Sequence, residues 1–360
     1  MNQMFRADTD RAQEFEGRVI GMINDGALCL TVAIGHRTGL FDTMAGMAWA
    51  NSAEIAKAAD LQERYVREWL GAMTVGRIVD HDPDTGTYRL PDEHARVLTR
   101  DGEGDNMAVA AQIIPVLAGV ETDIVDCFRE GGGVPYERFE RFHEVMMEDS
   151  NQTVVPNLVD KILPLVDGLV GKLERGIRVL DVGCGRGRAL NSLAAAFPNS
   201  TFVGYDLSDD AIAFARAEAR QQGSTNVAFY SRDVTDLEAT VEAAAFDLVL
   251  TFDAIHDQAD PMAVLRGIRR ALKHDGVYIC QDIRGSHHHH GNMDHPLAPF
   301  LYTVSTMHCM TVSLAQGGEG LGTMWGCETA LSYMADAGFS SVTQYELEHD
   351  IMNVYYVCRP

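Results

Sequence analysis

The stretch VLDVGCGRGRAL, residues 179–190, constrains this chain more than any other. An apolar run from Ile177 to Leu180 reads as a strand, Gly183, Gly185 and Gly187 follow, and RALNSLAAAF reads as a helix. Glycines let a ligand approach the backbone, and a helix start offers free N–H groups. The dinucleotide fingerprint G-x-G-x-x-G requires a glycine where this chain has Arg188.

The strands that follow extend the pattern. TFVGYDLS, FDLVLTFDAIHD and GVYICQDI are short apolar runs with helical segments between them, and ATVEAAAFDLVL reads as a helix feeding a strand. Strands alternating with helices imply a parallel sheet covered on both faces. An acid stands at or near the end of successive strands: Asp181, then Asp206 25 positions later, then Asp233 in SRDV and Asp253 in LTFDAIHD. Open parallel sheets bind ligands at that end. Asp206 can accept both ribose hydroxyls there, and Asp233 an adenine amino group. The row suits a nucleoside that carries no phosphate.

VLDVGCGRG, GYDLS, SRDV and FDAIHD together resemble the motif series of class I S-adenosylmethionine-dependent methyltransferases, over roughly residues 175–360. The resemblance implies an α/β, Rossmann-like domain with a seven-stranded sheet whose last strand is antiparallel. DAGFSSVTQYELEHD and NVYYVCRP would supply its final two strands. It implies S-adenosyl-L-methionine as cofactor. Asp181, Gly183 and Gly185 would line the methionine part, Asp206 would hold the ribose and Asp233 would lie near the adenine. Phe252 and Asp253 would lie near the reacting end, and Cys184, Leu207 and Val234 adjoin these positions in the same site. The whole chain is also similar to bacterial methyltransferases that pair a winged-helix N-terminal domain with this fold. HPLAPFLYTVSTMHCMTVSLAQGG carries that second resemblance most clearly.

The N-terminal part agrees with it. Residues 13–50 read as helical, with Gly39 as a stop before Leu40 and Phe41. SAEIAKAADL, with Ser52 as N-cap, and ERYVREWLGAMTVGRIV read as two helices, and IVDHDPDTGTYRL as a hairpin. Helix, turn, helix, hairpin is the order of a winged helix. Its second helix carries the balanced set Glu63, Arg64, Arg67 and Glu68, and its wing carries Asp80, Asp82 and Asp84. With a formal net charge of -23, the chain repels a phosphate backbone or an anionic membrane. The expected roles are packing and homodimerisation, with no nucleic-acid or membrane partner. The apolar runs read as too short or too polar to span a bilayer. The seven cysteines form no C-x-x-C pair, which fits a reducing, cytoplasmic compartment. Three regions are expected: a winged-helix/dimerisation domain at 1–105, a helical linker at 106–170 broken by Gly131–Gly133, and a methyltransferase domain at 171–360.

Methyl transfer from a sulfonium is an in-line displacement, so the protein has to align the partners and exclude water. A hydroxyl, thiol or amine acceptor on a small molecule also needs a base. His256 is the candidate. HDQAD resembles the H-D-W-x-D stretch of small-molecule O-methyltransferases, in which that histidine is the base; Gln258 stands here in place of the tryptophan. The other reading has His256 orienting a loop or capping the next helix. Asp257 would orient His256 or cap the helix that begins near Pro261.

Residues 285–326 form a lid-like insertion over the ligand end. In it Phe300, Val304, Met307 and Thr311 share one helix face, and Tyr302, Met307, His308 and His295 are the candidate acceptor-binding residues. The run His287–His290, with Asp294, His295 and Cys309, raises a metal site. Adjacent histidines splay apart, whereas good sites use i, i+4 spacing, so no metal is expected. Two other function classes stay open on the sequence: a ligand-sensing transcriptional regulator using the winged helix, and a metal-dependent enzyme centred on His287–Cys309.

Overall fold

The computed structural model describes residues 9–360. The chain divides into two compact units, one ending at Val116 and one running from Leu117 to Pro360. The segment 106–170 is therefore not a separate linker. From Leu117 onward its helices belong to the C-terminal unit, because their apolar side chains pack on the sheet there: Leu158, Ile162 and Leu163 are fully buried in the same core as Val179 and Leu248.

The N-terminal unit contains α1 (Thr9–Arg37), α2 (Leu40–Met44), α3 (Ser52–Ala59) and α4 (Glu63–Val75). β1 (Asp80–Asp82) and β2 (Thr87–Arg89) form an antiparallel hairpin, tied to the chain before α3 by pairing of Ala50 with Tyr88. The cap of α3 is Asn51 rather than the expected Ser52. Asn51 Oδ1 accepts from the N–H groups of Ala53 and Glu54, and Glu54 accepts back from the Asn51 N–H, a reciprocal capping box. Ser52 is already helical, and its hydroxyl donates to Glu63. Phe41, Leu70 and Met73 are fully buried between these helices, each contributing roughly 1.5–3 kcal/mol.

α1 corrects a second expectation: by length and composition it is apolar enough to cross a membrane. Between Arg18 and Arg37 its only acidic or basic residue besides histidine is Asp25. Phe15, Ile20, Met22, Ile23 and Ile34 along it are exposed.

The C-terminal unit is built on a seven-stranded sheet of β3 (Arg178–Val182), β4 (Thr201–Asp206), β5 (Val227–Ser231), β6 (Phe246–Phe252), β7 (Leu272–Ile283), β8 (Ser341–Tyr345) and β9 (Asn353–Arg359). The strand order is β5-β4-β3-β6-β7-β9-β8. Neighbouring pairs from β5 to β7 are parallel, and β9 runs antiparallel between β7 and β8. Leu248, Val249 and Leu250 show why both faces are covered. The first and third enter one core with Leu190 and Leu193, and the second enters the other with Val264 and Ile268. A period of two on a strand that is apolar throughout requires helices on both sides. The expected helix in ATVEAAAFDLVL is shorter than its sequence suggests. It covers only Leu237–Thr240, and Ala244, with φ at 51°, turns the chain into β6.

The order reverses at β3, with β4 on one side and β6 on the other. The carboxyl ends of these strands border the crevice where such sheets bind ligands.

Candidate active site

The glycine loop lies at the end of β3. Gly183 and Gly185 have φ of 78° and 51°, which side chains with a Cβ rarely adopt. A Cβ on Gly183 would lie 2.5 Å from that of Ala254 in the loop after β6, whereas one on Gly185 would meet nothing within 4 Å. The first glycine seals two loops together, and the second leaves room beside the backbone. The Gly185 N–H donates to Asp206 Oδ2 at 2.8 Å, and the Ser208 N–H to Asp206 Oδ1 at 2.9 Å, so the strand-end carboxylate also organises the loop.

Asp181 is buried inside β3, and its Oδ1 has no partner. Burial, reinforced by the charge of Asp206, pushes its carboxyl up to about 8. Asp253 follows β6 at a φ of 48°. Its N–H donates to the Gln281 carbonyl at 3.0 Å, and its buried Oδ1 is likewise unpartnered. Asp233 is exposed, and its Oδ1 accepts from the N–H and hydroxyl of Thr235. Leu207 is exposed, Val234 is buried in the core, Cys184 is half-buried in the loop, and Phe252 packs partly on the core.

These residues fit S-adenosylmethionine. Two buried carboxylate oxygens without partners suit the cationic amino-acid end of such a ligand, the space beside Gly185 admits it, and Asp206 stands at the strand end.

His256 lies just beyond β6 and is almost wholly buried. Its Nδ1 is 2.7 Å from Asp282 Oδ1, near the end of β7. The same oxygen accepts from Trp325 Nε1 at 3.1 Å and from the Ile283 N–H at 2.8 Å. The expected orienting acid, Asp257, does neither job assigned to it. The helix Pro261–Ala271 is capped by Asp260, whose Oδ1 accepts the Ala263 N–H at 2.8 Å. Asp257 instead accepts the Tyr136 hydroxyl on one oxygen and Gln258 Nε2, at 3.3 Å, on the other. Burial raises the Asp257 carboxyl to about 6, against the lowering effects of His256 and Tyr136. Burial disfavours the charged His256 imidazole, but the Asp282 carboxylate and the neighbouring Cys309 outweigh it and raise its pKa well above the usual value.

Next to this pair stands an aromatic cluster that the sequence did not reveal. His308 stacks on Phe142 at 3.7 Å between ring centroids and meets Phe139 and Tyr136 edge-on at 4.6 and 5.1 Å. Burial, with the charges of His256 and His143, lowers His308 to about 3, so its ring stays neutral and its buried Nε2 is unpartnered. Segment 133–142 is held against the helical insertion by backbone contact. A Cβ on Gly133 would fall 2.0 Å from the Thr311 carbonyl oxygen, and the Val134 N–H donates to Thr311 Oγ1 at 2.8 Å.

The insertion helix differs from its expected face. It runs Ala298–Val304, passes through a π-helical turn at Ser305–Cys309, and continues as Met310–Ala315. The buried face is Leu301, Ser305, His308 and Val312, one position on from the expected one at the same helical spacing, while Phe300, Val304 and Met307 are only half-buried. Thr311 remains buried. Tyr302 and His295 tie the insertion to itself: the Tyr302 hydroxyl accepts from Asn292 Nδ2 at 2.9 Å, and His295 Nδ1 accepts from the Leu297 N–H at 3.2 Å. His287–His290 are all exposed, and His287 and His288 lie against each other at 3.7 Å. Among the described residues no group of three or more His, Cys, Asp or Glu side chains is arranged to hold a metal ion.

Sequence reasoning missed Asp282, although an acid at the end of GVYICQDI follows the same strand-end pattern as Asp206 and Asp253. Tyr136, Phe139 and Phe142 carried no comparable signal, since aromatic residues in a helical stretch read as ordinary core.

Residues 26–100 match the family described as Rv2258c-like winged HTH domain, and residues 173–325 match one described as a methyltransferase domain. A ubiquinone biosynthesis O-methyltransferase of Cereibacter sphaeroides is 34% identical over 109 residues, 30% of this chain and 42% of that protein. The protein so described from Actinobacillus pleuropneumoniae serotype 7 is 30% identical over 131 residues, 36% of this chain and 53% of its own. The chain thus spans about half or less of the length of these curated relatives. Among solved structures, the mitomycin 7-O-methyltransferase MmcR superposes with a TM-score of 0.69 at 15% identity, covering 98% of this chain and 100% of its own. Human N-acetylserotonin methyltransferase in complex with SAM superposes with a TM-score of 0.67 at 16% identity, covering 100% and 99%. The chain therefore joins a winged helix-turn-helix domain to a methyltransferase domain of the class I S-adenosylmethionine-dependent fold.

Proposed function

We propose that this protein is an S-adenosylmethionine-dependent methyltransferase that methylates an oxygen of a small molecule, with His256 as general base. The observation that carries this reading is the buried His256–Asp282 pair beside a strand-end nucleoside site. When bound, S-adenosylmethionine supplies a methyl group already activated on a sulfonium sulfur. Asp206 would hold the ribose hydroxyls and Asp233 the adenine edge. Asp181, with Gly183, Cys184 and Gly185, would hold the methionine part, and Leu207, Val234, Phe252 and Asp253 would complete the wall.

Asp282 keeps the proton on His256 Nδ1, so Nε2 is the atom that takes the proton from the acceptor hydroxyl. Asp282 also makes the resulting imidazolium stable in a buried place. In the ligand-free protein this same effect favours the charged ring. A cation bound nearby favours the neutral ring, which ties the base's readiness to occupancy of the donor site. His308, held neutral, together with Phe139, Phe142 and Tyr136, would line the acceptor side. The likeness to O-methyltransferases favours oxygen over nitrogen or sulfur as the atom methylated.

The winged-helix unit is assigned to pairing two copies. The exposed apolar residues of α1 need a cover, and a second α1 offers a matching surface. The hairpin acids Asp80 and Asp82 suit DNA poorly. The seven free cysteines favour a cytoplasmic setting.

Calorimetry with S-adenosylhomocysteine tests the reading. Saturable binding is expected for the wild type and loss of it for Asp206→Ala; absence of binding to the wild type refutes it. His256→Ala should keep that affinity and lose turnover on a hydroxylated acceptor found by screening.

A further inference from the structure

Arg186 sits in the middle of the glycine loop, between Gly185 and Gly187. A guanidinium has five N–H donors and, when half-buried, normally meets carboxylates or carbonyls. Arg186 meets neither. Its Nη1 is 3.9 Å from the thioether sulfur of Met147, a weak acceptor. Its Cζ lies 4.7 Å from the centre of the Phe214 ring. Its Nε is buried with no partner. Arg188, two positions on, shows the contrast: its Nε donates to Asn151 Oδ1 at 2.6 Å, and its Nη1 pairs with Glu218.

Met147 and Asn151 belong to the helix Phe142–Thr153, one turn apart on the same face as His143. Burial lowers the His143 imidazole, the charge of Asp206 raises it and that of Arg186 lowers it again. Arg186 and Asp206 therefore both act on the His143 ring. The unpaired cation belongs to the glycine loop, on the donor side of the site.

An unpaired guanidinium in the glycine loop, in a site that also holds two unpaired carboxylate oxygens, those of Asp181 and Asp253, offers both signs of charge that a zwitterion needs. S-adenosylmethionine has one anionic group, the carboxylate of its methionine part. We infer that Arg186 receives this carboxylate, and that it, rather than the backbone of the loop, selects ligands that carry the amino-acid end. The inference rests on the donor-site reading above. Charge-assisted hydrogen bonds to a guanidinium contribute roughly 1.5–3 kcal/mol, or on the order of 10- to 150-fold in affinity.

The test compares two ligands on the full-length protein by calorimetry: S-adenosylhomocysteine, and 5′-methylthioadenosine, which keeps the nucleoside and thioether but lacks the amino-acid end. For Arg186→Gln, affinity for S-adenosylhomocysteine should fall by at least about 10-fold while that for 5′-methylthioadenosine stays within about twofold. Arg186→Lys, which keeps the charge, should recover part of the loss. An unchanged S-adenosylhomocysteine affinity in Arg186→Gln, or an equal loss for both ligands, overturns the assignment while leaving the donor-site reading intact. Failure of the wild type to bind either ligand overturns both. Circular dichroism and the 5′-methylthioadenosine titration together show that the variants are folded.

Discussion

Asp282→Asn isolates the charge of the buried pair from its shape. Asp282 Oδ1 accepts three N–H groups, from His256, Trp325 and Ile283, at 2.7, 3.1 and 2.8 Å. An asparagine carbonyl can accept all three, so the change removes mainly the charge. Breaking a buried ion pair costs about 3–5 kcal/mol, and with the hydrogen bonds kept the low end, roughly 3 kcal/mol, is expected. The cost depends on pH. The pKa of His256 is raised in the folded wild type above its unfolded value of about 6.5, so the pair's contribution is fully present below about pH 6.5 and is lost as pH rises through the folded pKa. In Asp282→Asn burial acts on the ring without the carboxylate. Its pKa is depressed, and the variant loses stability as pH falls below about 6.5. The gap between the two proteins should be widest at pH 5.5 and shrink toward pH 9. Urea unfolding followed by the fluorescence of Trp325, the one tryptophan of the C-terminal unit, measures it once Trp49 and Trp69 are changed to phenylalanine. Nuclear magnetic resonance titration of the His256 ring gives the second readout, and turnover should fall about 10²- to 10⁴-fold with loss of the oriented base. A gap that does not change between pH 5.5 and 9, or a His256 ring that titrates alike in both proteins, refutes the reasoning.

Three further outcomes follow from the geometry. Asp181 is held near pKa 8 with one oxygen free, so an ammonium arriving beside it should release a proton at pH 7; binding heats for S-adenosylhomocysteine that do not vary with the ionisation enthalpy of the buffer would contradict this. Gly133→Ala drives a Cβ against the Thr311 carbonyl and should undock segment 134–142, read as faster amide hydrogen exchange there and a loss of roughly 1–3 kcal/mol in stability, while unchanged exchange would show that the close approach is not needed. Ile20→Glu with Ile23→Glu on α1 should turn a dimer into a monomer in light scattering, and a dimer that survives both changes would place the interface elsewhere.

The donor side was legible in the amino-acid sequence because its chemistry is written locally. A strand, a glycine turn and a helix follow one another within about a dozen positions. The acids Asp181, Asp206 and Asp253 are placed by the ends of strands that hydrophobic periodicity already marks. The winged helix was legible for the same reason, apart from one-residue details such as the Asn51 cap. The acceptor side was decided only by tertiary structure. Asp282 reaches His256 across the edge shared by β6 and β7, 26 positions away, and Tyr136 reaches Asp257 across 121. His308 faces Phe142 because segment 133–142 docks on the insertion helix, held there by the contacts of Gly133 and Val134 with Thr311. Local spacing fixes which way a side chain leaves its own element; which side chain it meets depends on how distant elements pack, and no short stretch of sequence contains that packing.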